Sequence, residues 1–87
     1  MKVSVWDTYV PREGQKTMHF DILVSSDTIA TDVIFGYGKA YLATKPFTTG
    51  DLTSNECRFC HMEQAPDMVE EAIKEKGYYI IEMENCQ

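Results

Sequence analysis

Between Thr17 and Val24 apolar residues fall at every second position (Met18, Phe20, Ile22 and Val24), and Lys2 to Val10 is rich in β-branched and aromatic side chains. A period of two marks a strand with one buried face. Residues Pro11 to Lys16 separate the two runs and contain Pro11 and Gly14, so the pattern predicts a β-hairpin closed by a six-residue loop. Setting the apolar face of the second strand against Val3, Val5 and Tyr9 gathers Trp6, Thr8, His19 and Asp21 on the opposite face.

The period then changes. Ser26 or Asp27 suits a helix N-cap, and Ile29, Val33, Tyr37, Ala40 and Tyr41 follow at helical spacing, giving a first helix to about Ala43, ahead of Pro46. Gly36 and Gly38 each weaken that helix by up to about 1 kcal/mol relative to alanine. Gly36 falls on the apolar stripe, which predicts close packing on the sheet there. A strand over Ser54–His61 follows a turn at Lys45–Asp51.

The second helix is bracketed by Pro66 at its start and Gly77 at its stop. Asp67, Glu70 and Glu71 come early and Lys74 and Lys76 late, which matches the helix dipole, and Glu70 and Lys74 are spaced to pair. Val69, Ala72, Ile73 and the stem of Lys76 form its inward stripe. Tyr78–Glu84 reads as a last strand.

The order β-β-α-β-α-β predicts a single α+β domain over residues 1–87 with a mixed four-stranded sheet. Right-handed crossovers that step the same way would put both helices on one face. Trp6, Thr8, His19 and Asp21 would then lie on a bare face, and an exposed Trp6 predicts self-association or ligand binding there, so a homo-oligomer is expected.

Composition agrees with one small soluble domain: 87 residues, 44% hydrophobic and 25% charged. The net charge is −6, from 14 acidic and 8 basic side chains, and Lys74 and Lys76 are the only close cationic group. Nucleic acid and anionic membrane surfaces are therefore not expected partners. The start of the chain alternates polar and apolar residues and lacks the roughly 7–15 apolar residues of a signal peptide, which predicts a cytoplasmic protein.

Two of the three cysteines stand in the segment Glu56–Pro66, as Cys57-x-x-Cys60-His61. A metal reading takes Cys57, Cys60 and His61 with Cys86 from the end of the last strand, and zinc or iron is the cofactor such a set would take. A regular strand would point Cys57 and Cys60 to opposite faces, and no glycine follows Cys60 to bend the chain into a knuckle. A redox reading needs a helix N-terminus beside a cysteine, and Pro66 lies six residues beyond Cys60. Covalent haem attachment matches the letters but requires export. The remaining reading makes Cys57 a small core residue, as free cysteines often are.

His19 and Asp21, two apart on one strand face, place a carboxylate beside an imidazole, an arrangement suited to acid-base work. No nucleophile can be placed beside them, and Asp7 is assigned to the other face. No glycine loop suited to phosphate is present, since Gly36 and Gly38 fall within a helix.

The runs Trp6–Val24 and Glu56–Cys86 resemble the small bacterial family known as domain of unknown function 2024. Asp7–Val10, Met18–Asp21, Glu56–His61 and Gly77–Ile81 carry the resemblance. It implies a compact α+β domain of about this length and implies no activity, cofactor or catalytic residue. The reading adopted is a cytoplasmic, non-catalytic binding or accessory module that self-associates, with Trp6, Thr8, His19 and Asp21 as its binding residues. The alternative is a metal or thiol-redox protein using Cys57, Cys60 and Cys86.

Overall fold

The computed structural model describes residues 1–87. In order along the chain are β1 (Lys2–Arg12), β2 (Lys16–Ser25), α1 (Thr31–Leu42), β3 (Cys57–Gln64), α2 (Asp67–Lys76) and β4 (Tyr78–Glu84). The α+β class and the β-β-α-β-α-β order are as the sequence predicts. The strand order is β3-β1-β2-β4, and all three pairings are antiparallel, so the sheet is antiparallel throughout and not mixed.

The β1–β2 hairpin turns more tightly than its proline suggested. Pro11 and Arg12 pair with Thr17 and Lys16, leaving Glu13, Gly14 and Gln15 as the connection. Gly14 and Gln15 take φ of 80° and 59°, the left-handed region that closes a short loop. With Arg12 opposite Lys16, odd residues pair with odd and even with even: Trp6 faces Ile22, and Asp7 faces Asp21. Side chains that share a face therefore share parity across this pair.

That register divides the expected cluster. Trp6 and Thr8 lie on the face of Phe20 and Ile22, while His19 and Asp21 lie on the other face with Asp7 and Tyr9. Trp6 packs against the core and also meets the exposed Phe59 edge to face, ring centroids 5.8 Å apart. Thr8 is fully buried and donates to Cys57 Sγ at 3.3 Å. Neither side chain belongs to the face that carries His19 and Asp21.

The helices occupy opposite faces. Ile34 and Leu42 of α1 join Val10, Met18, Phe20, Ile22 and Val24, together with Leu52 from the following loop. Val69 and Ile73 of α2 join Val3, Val5 and Leu23. The chain runs from β2 across β1 to β3, then back across both central strands to β4, so the two crossovers step in opposite directions. The second connects antiparallel strands, to which the right-handed crossover rule does not apply.

Helix α1 begins later than expected because Ser25–Thr28 forms a turn, closed by Thr28 N–H donating to Ser25 C=O at 2.9 Å. Ile29 is left exposed, and the buried stripe is Ile34, Gly38 and Leu42. The close approach therefore falls at Gly38 and not at Gly36, which has open space around it. A Cβ at Gly38 would stand 2.5 Å from Leu52 Cδ1 and 2.9 Å from Ile22 Cδ1. Gly38→Ala is expected to cost about 1–3 kcal/mol by overpacking, despite alanine's better helix propensity. Urea denaturation checks this, and a variant as stable as the parent would contradict the packing.

Helix α2 follows its sequence signals. Gly77 caps it with φ of 97°, and Lys74 pairs with Glu70 at 3.0 Å. Lys76 sits over the Tyr78 ring at 5.1 Å and does not line the inward stripe. Ten residues of helix span about 15 Å, whereas the strands beneath run to about 33 Å, so α2 covers only the end of its face that carries Val3, Val5 and Leu23. The other end, with Asp7, Tyr9, His19 and Asp21, has no helix over it. No helix of the chain is long and apolar enough to cross a membrane.

Candidate functional site

Three polar side chains meet on that uncovered end. Asp7 comes from β1, and His19 and Asp21 come from alternate positions of β2, so all three point the same way. One ligand-type atom from each lies within 4.8 Å of the others, and this is the one group of three or more His, Cys, Asp or Glu side chains so arranged. His19 Nε2 is 2.7 Å from Asp7 Oδ1, which makes Nε2–H the donor to a carboxylate. The Tyr9 ring lies parallel to the imidazole at 4.1 Å and holds its plane.

Asp21 is the unusual member. It is only 8% exposed, and its Oδ1 is buried with no hydrogen-bond partner. Burial first, and the facing Asp7 carboxylate second, raise its carboxyl to about 6 against the opposing pull of the His19 and His61 imidazoles. When protonated, the same carboxyl can donate to Asp7; when ionised, it faces a second carboxylate with no lysine or arginine paired to either. Buried carboxylates normally have partners, because an unpartnered one costs far more than a lost hydrogen bond between neutral groups.

Two β-bulges flank the cluster. On one edge Val5 pairs with His61 and Trp6 with Phe59, leaving Cys60 as the extra residue. On the other, His19 pairs with Glu84 and Phe20 with Glu82, leaving Met83 extra. Each bulge reverses the parity of the strand beyond it, which brings His61 and Glu84 to the face of Asp7, His19 and Asp21. His61 Nε2 pairs there with Glu63 at 2.8 Å.

The cysteine set is distributed differently. Cys57 and Cys86 are buried within the core on the α1 side. Cys60 is exposed, and its sulfur lies 3.2 Å from His61 Nδ1. Burial pushes the Cys57 thiol up, away from thiolate character, while the Thr8 hydroxyl partly offsets this. Cys86 donates to the carbonyls of His19 and Glu84 at 3.4 and 3.3 Å. No three of Cys57, Cys60, His61 and Cys86 bring their ligand atoms together as Asp7, His19 and Asp21 do.

The largest cleft, about 350 Å³, shares no residue with the cluster. It opens along β4 between Tyr41, Tyr78, Tyr79 and Glu82. Glu82 is already taken up by Lys45 at 2.7 Å and by the Tyr41 hydroxyl, so the cleft offers no free carboxylate.

Sequence reasoning placed His19 and Asp21 on one face but assigned Asp7 elsewhere and joined Trp6 and Thr8 to the pair. The odd number of residues in the Glu13–Gln15 connection decides between these groupings, and the Met18–Asp21 alternation alone does not.

No curated protein matches the chain. Among solved structures it is similar to the NMR structure of protein NE1680 from Nitrosomonas europaea, a structural-genomics target. The two are 41% identical over the whole of both chains, with a TM-score of 0.78. A family profile described as domain of unknown function, DUF2024, matches residues 1–83. Match length and whole-chain similarity agree, and the protein belongs to the DUF2024 family.

Proposed function

We propose that this protein is a small, non-catalytic binding module that takes a cationic ligand on the uncovered end of its sheet, at Asp7, His19 and Asp21. The observation that carries this reading is the Asp21 carboxylate oxygen, buried without a donor and opposite a second carboxylate. A cation supplies the partner that the Asp21 oxygen lacks and offsets the repulsion between the two carboxylates. The electrostatics point the same way, since no lysine or arginine ion pair neutralises either aspartate. The His19 imidazole is hydrogen-bonded to Asp7 and to no hydroxyl or thiol, which favours holding a ligand over activating a nucleophile. Trp6, the reason to expect self-association, packs against the core, so the proposed binding surface moves from Trp6 and Thr8 to Asp7, His19 and Asp21.

Amide NMR of the labelled protein, titrated with a panel running from guanidinium and spermidine to zinc chloride, tests this. At least one cation is expected to shift residues 7–9 and 19–21 in a saturable way. If none does, or if shifts spread evenly over the acidic surface, the reading falls.

A further inference from the structure

Building on that cation-binding reading, we propose that the ligand is a first-row divalent metal of the zinc class, held by the carboxylates of Asp7 and Asp21 and the imidazole of His19. The donor set selects the class. Calcium takes six to eight oxygen ligands, and magnesium keeps several waters in a strict octahedron. One imidazole nitrogen with two carboxylates is instead a borderline set suited to zinc and its neighbours.

The geometry fits with little movement. The donor atoms lie within 4.8 Å of one another. Tetrahedral bonds of about 2.0–2.1 Å place donors roughly 3.3 Å apart, so His19 Nε2 and Asp7 Oδ1, now 2.7 Å apart, open slightly while the wider separations close around the ion. Asp7 and Asp21 project from directly opposed positions on neighbouring strands, and His19 stands one pleat along, so the rigid part of the fold sets the spacing. Binding through Nε2 displaces the hydrogen bond to Asp7 Oδ1: a neutral imidazole carries its proton on Nδ1 instead, whereas an imidazolium releases its Nε2 proton to solvent, and the freed lone pair forms the metal–nitrogen bond.

The surroundings are those of a supported site. The Tyr9 ring fixes the imidazole plane, and the two bulges turn His61 and Glu84 onto this face at its borders. Three protein ligands leave a fourth position, which opens toward the side with no helix over it. Asp21, more than nine-tenths buried with an unpartnered oxygen on the cluster, sets this site apart from a solvated acidic patch.

Isothermal titration of the chelator-stripped full chain with zinc chloride is the test, using Asp21→Asn, His19→Ala and Cys60→Ser beside the parent. One zinc per chain is expected, with affinity lowered more than about tenfold in the first two variants and unchanged in Cys60→Ser. Cobalt(II) bound in its place is expected to lack a thiolate charge-transfer band. Zinc binding that survives in Asp21→Asn, or that fails in Cys60→Ser, overturns the proposal. So does the absence of zinc binding, and in that case spermidine or guanidinium shifts at residues 7–9 and 19–21 would leave the broader cation-binding reading standing without a metal.

Discussion

Phe20→Ala is expected to lower the unfolding free energy by about 3–5 kcal/mol, which brings a domain of this size close to global unfolding at room temperature. Phe20 is fully buried at the centre of the α1-side core, beside Met18 and Ile22. Its ring meets Tyr41 of α1 at 4.7 Å, and its backbone pairs with Thr8 on one side and Glu82 on the other. Truncation would open a cavity bounded by β-sheet backbone, which cannot collapse into it as a surface loop could. Urea denaturation followed by the fluorescence of Trp6, which packs against the same core, measures the loss. Ile81→Ala, on the exposed end of the other face, serves as the reference and is expected to change stability far less. A Phe20→Ala loss below about 1 kcal/mol would mean that this residue does not anchor the core.

The element order was legible because each element announces itself locally. Pro66 and Gly77 bracket α2, and the Met18-to-Val24 alternation marks β2 without help from any distant residue. What the sequence does not carry directly is how elements are set against one another. The three-residue Glu13–Gln15 connection decides which β1 residues share a face with His19, and Pro11 made that loop look twice as long. The strand order decides which face each helix covers, and nothing in α1 or α2 encodes it.

The α1 stripe was misplaced for a related reason. Its central buried residue is Gly38, which has no side chain to register as apolar, so Ile29 and Val33 drew the pattern onto the wrong edge. The site shows both kinds of outcome. His19 and Asp21 were paired correctly because they lie two apart on one strand, whereas Asp7 required the cross-strand register. His61 and Glu84 required bulges at Cys60 and Met83, and neither position has the glycine that often marks one. The Cys57-x-x-Cys60-His61 run drew attention as a familiar spacing, yet the sheet separates its two sulfurs, with Cys57 in the core and Cys60 in solvent.

Asp21→Asn is expected to make the metal-free protein more stable at neutral pH while removing its cation site. Asp21 titrates at about 6 in the fold, against an ordinary value of 3.8, chiefly because it is buried and secondly because it faces Asp7. Well below pH 4 the carboxyl is protonated in both folded and unfolded chains and contributes no pH dependence. Between pH 4 and pH 6 the unfolded chain ionises first, so stability falls as pH rises through this window. Above pH 6 the penalty approaches its full size, on the order of 3 kcal/mol. Asparagine is neutral throughout and can donate to Asp7 as the protonated carboxyl does.

The variant's advantage over the parent should therefore be small at pH 4 and grow by about 2–3 kcal/mol by pH 7.5. Glu82 and Glu70, held below the ordinary carboxylate value by hydrogen bonds to Lys45 and Lys74, bend both stability curves the opposite way at acid pH. They are common to the two proteins and cancel in the difference. Urea denaturation across pH 4 to 7.5, with chelator present, gives that difference directly. If it is flat with pH, or if the variant is the less stable protein at pH 7.5, Asp21 is not a strained carboxylate. A rising difference, together with loss of zinc binding in the same variant, would identify a residue that costs the empty fold stability because its position serves a ligand.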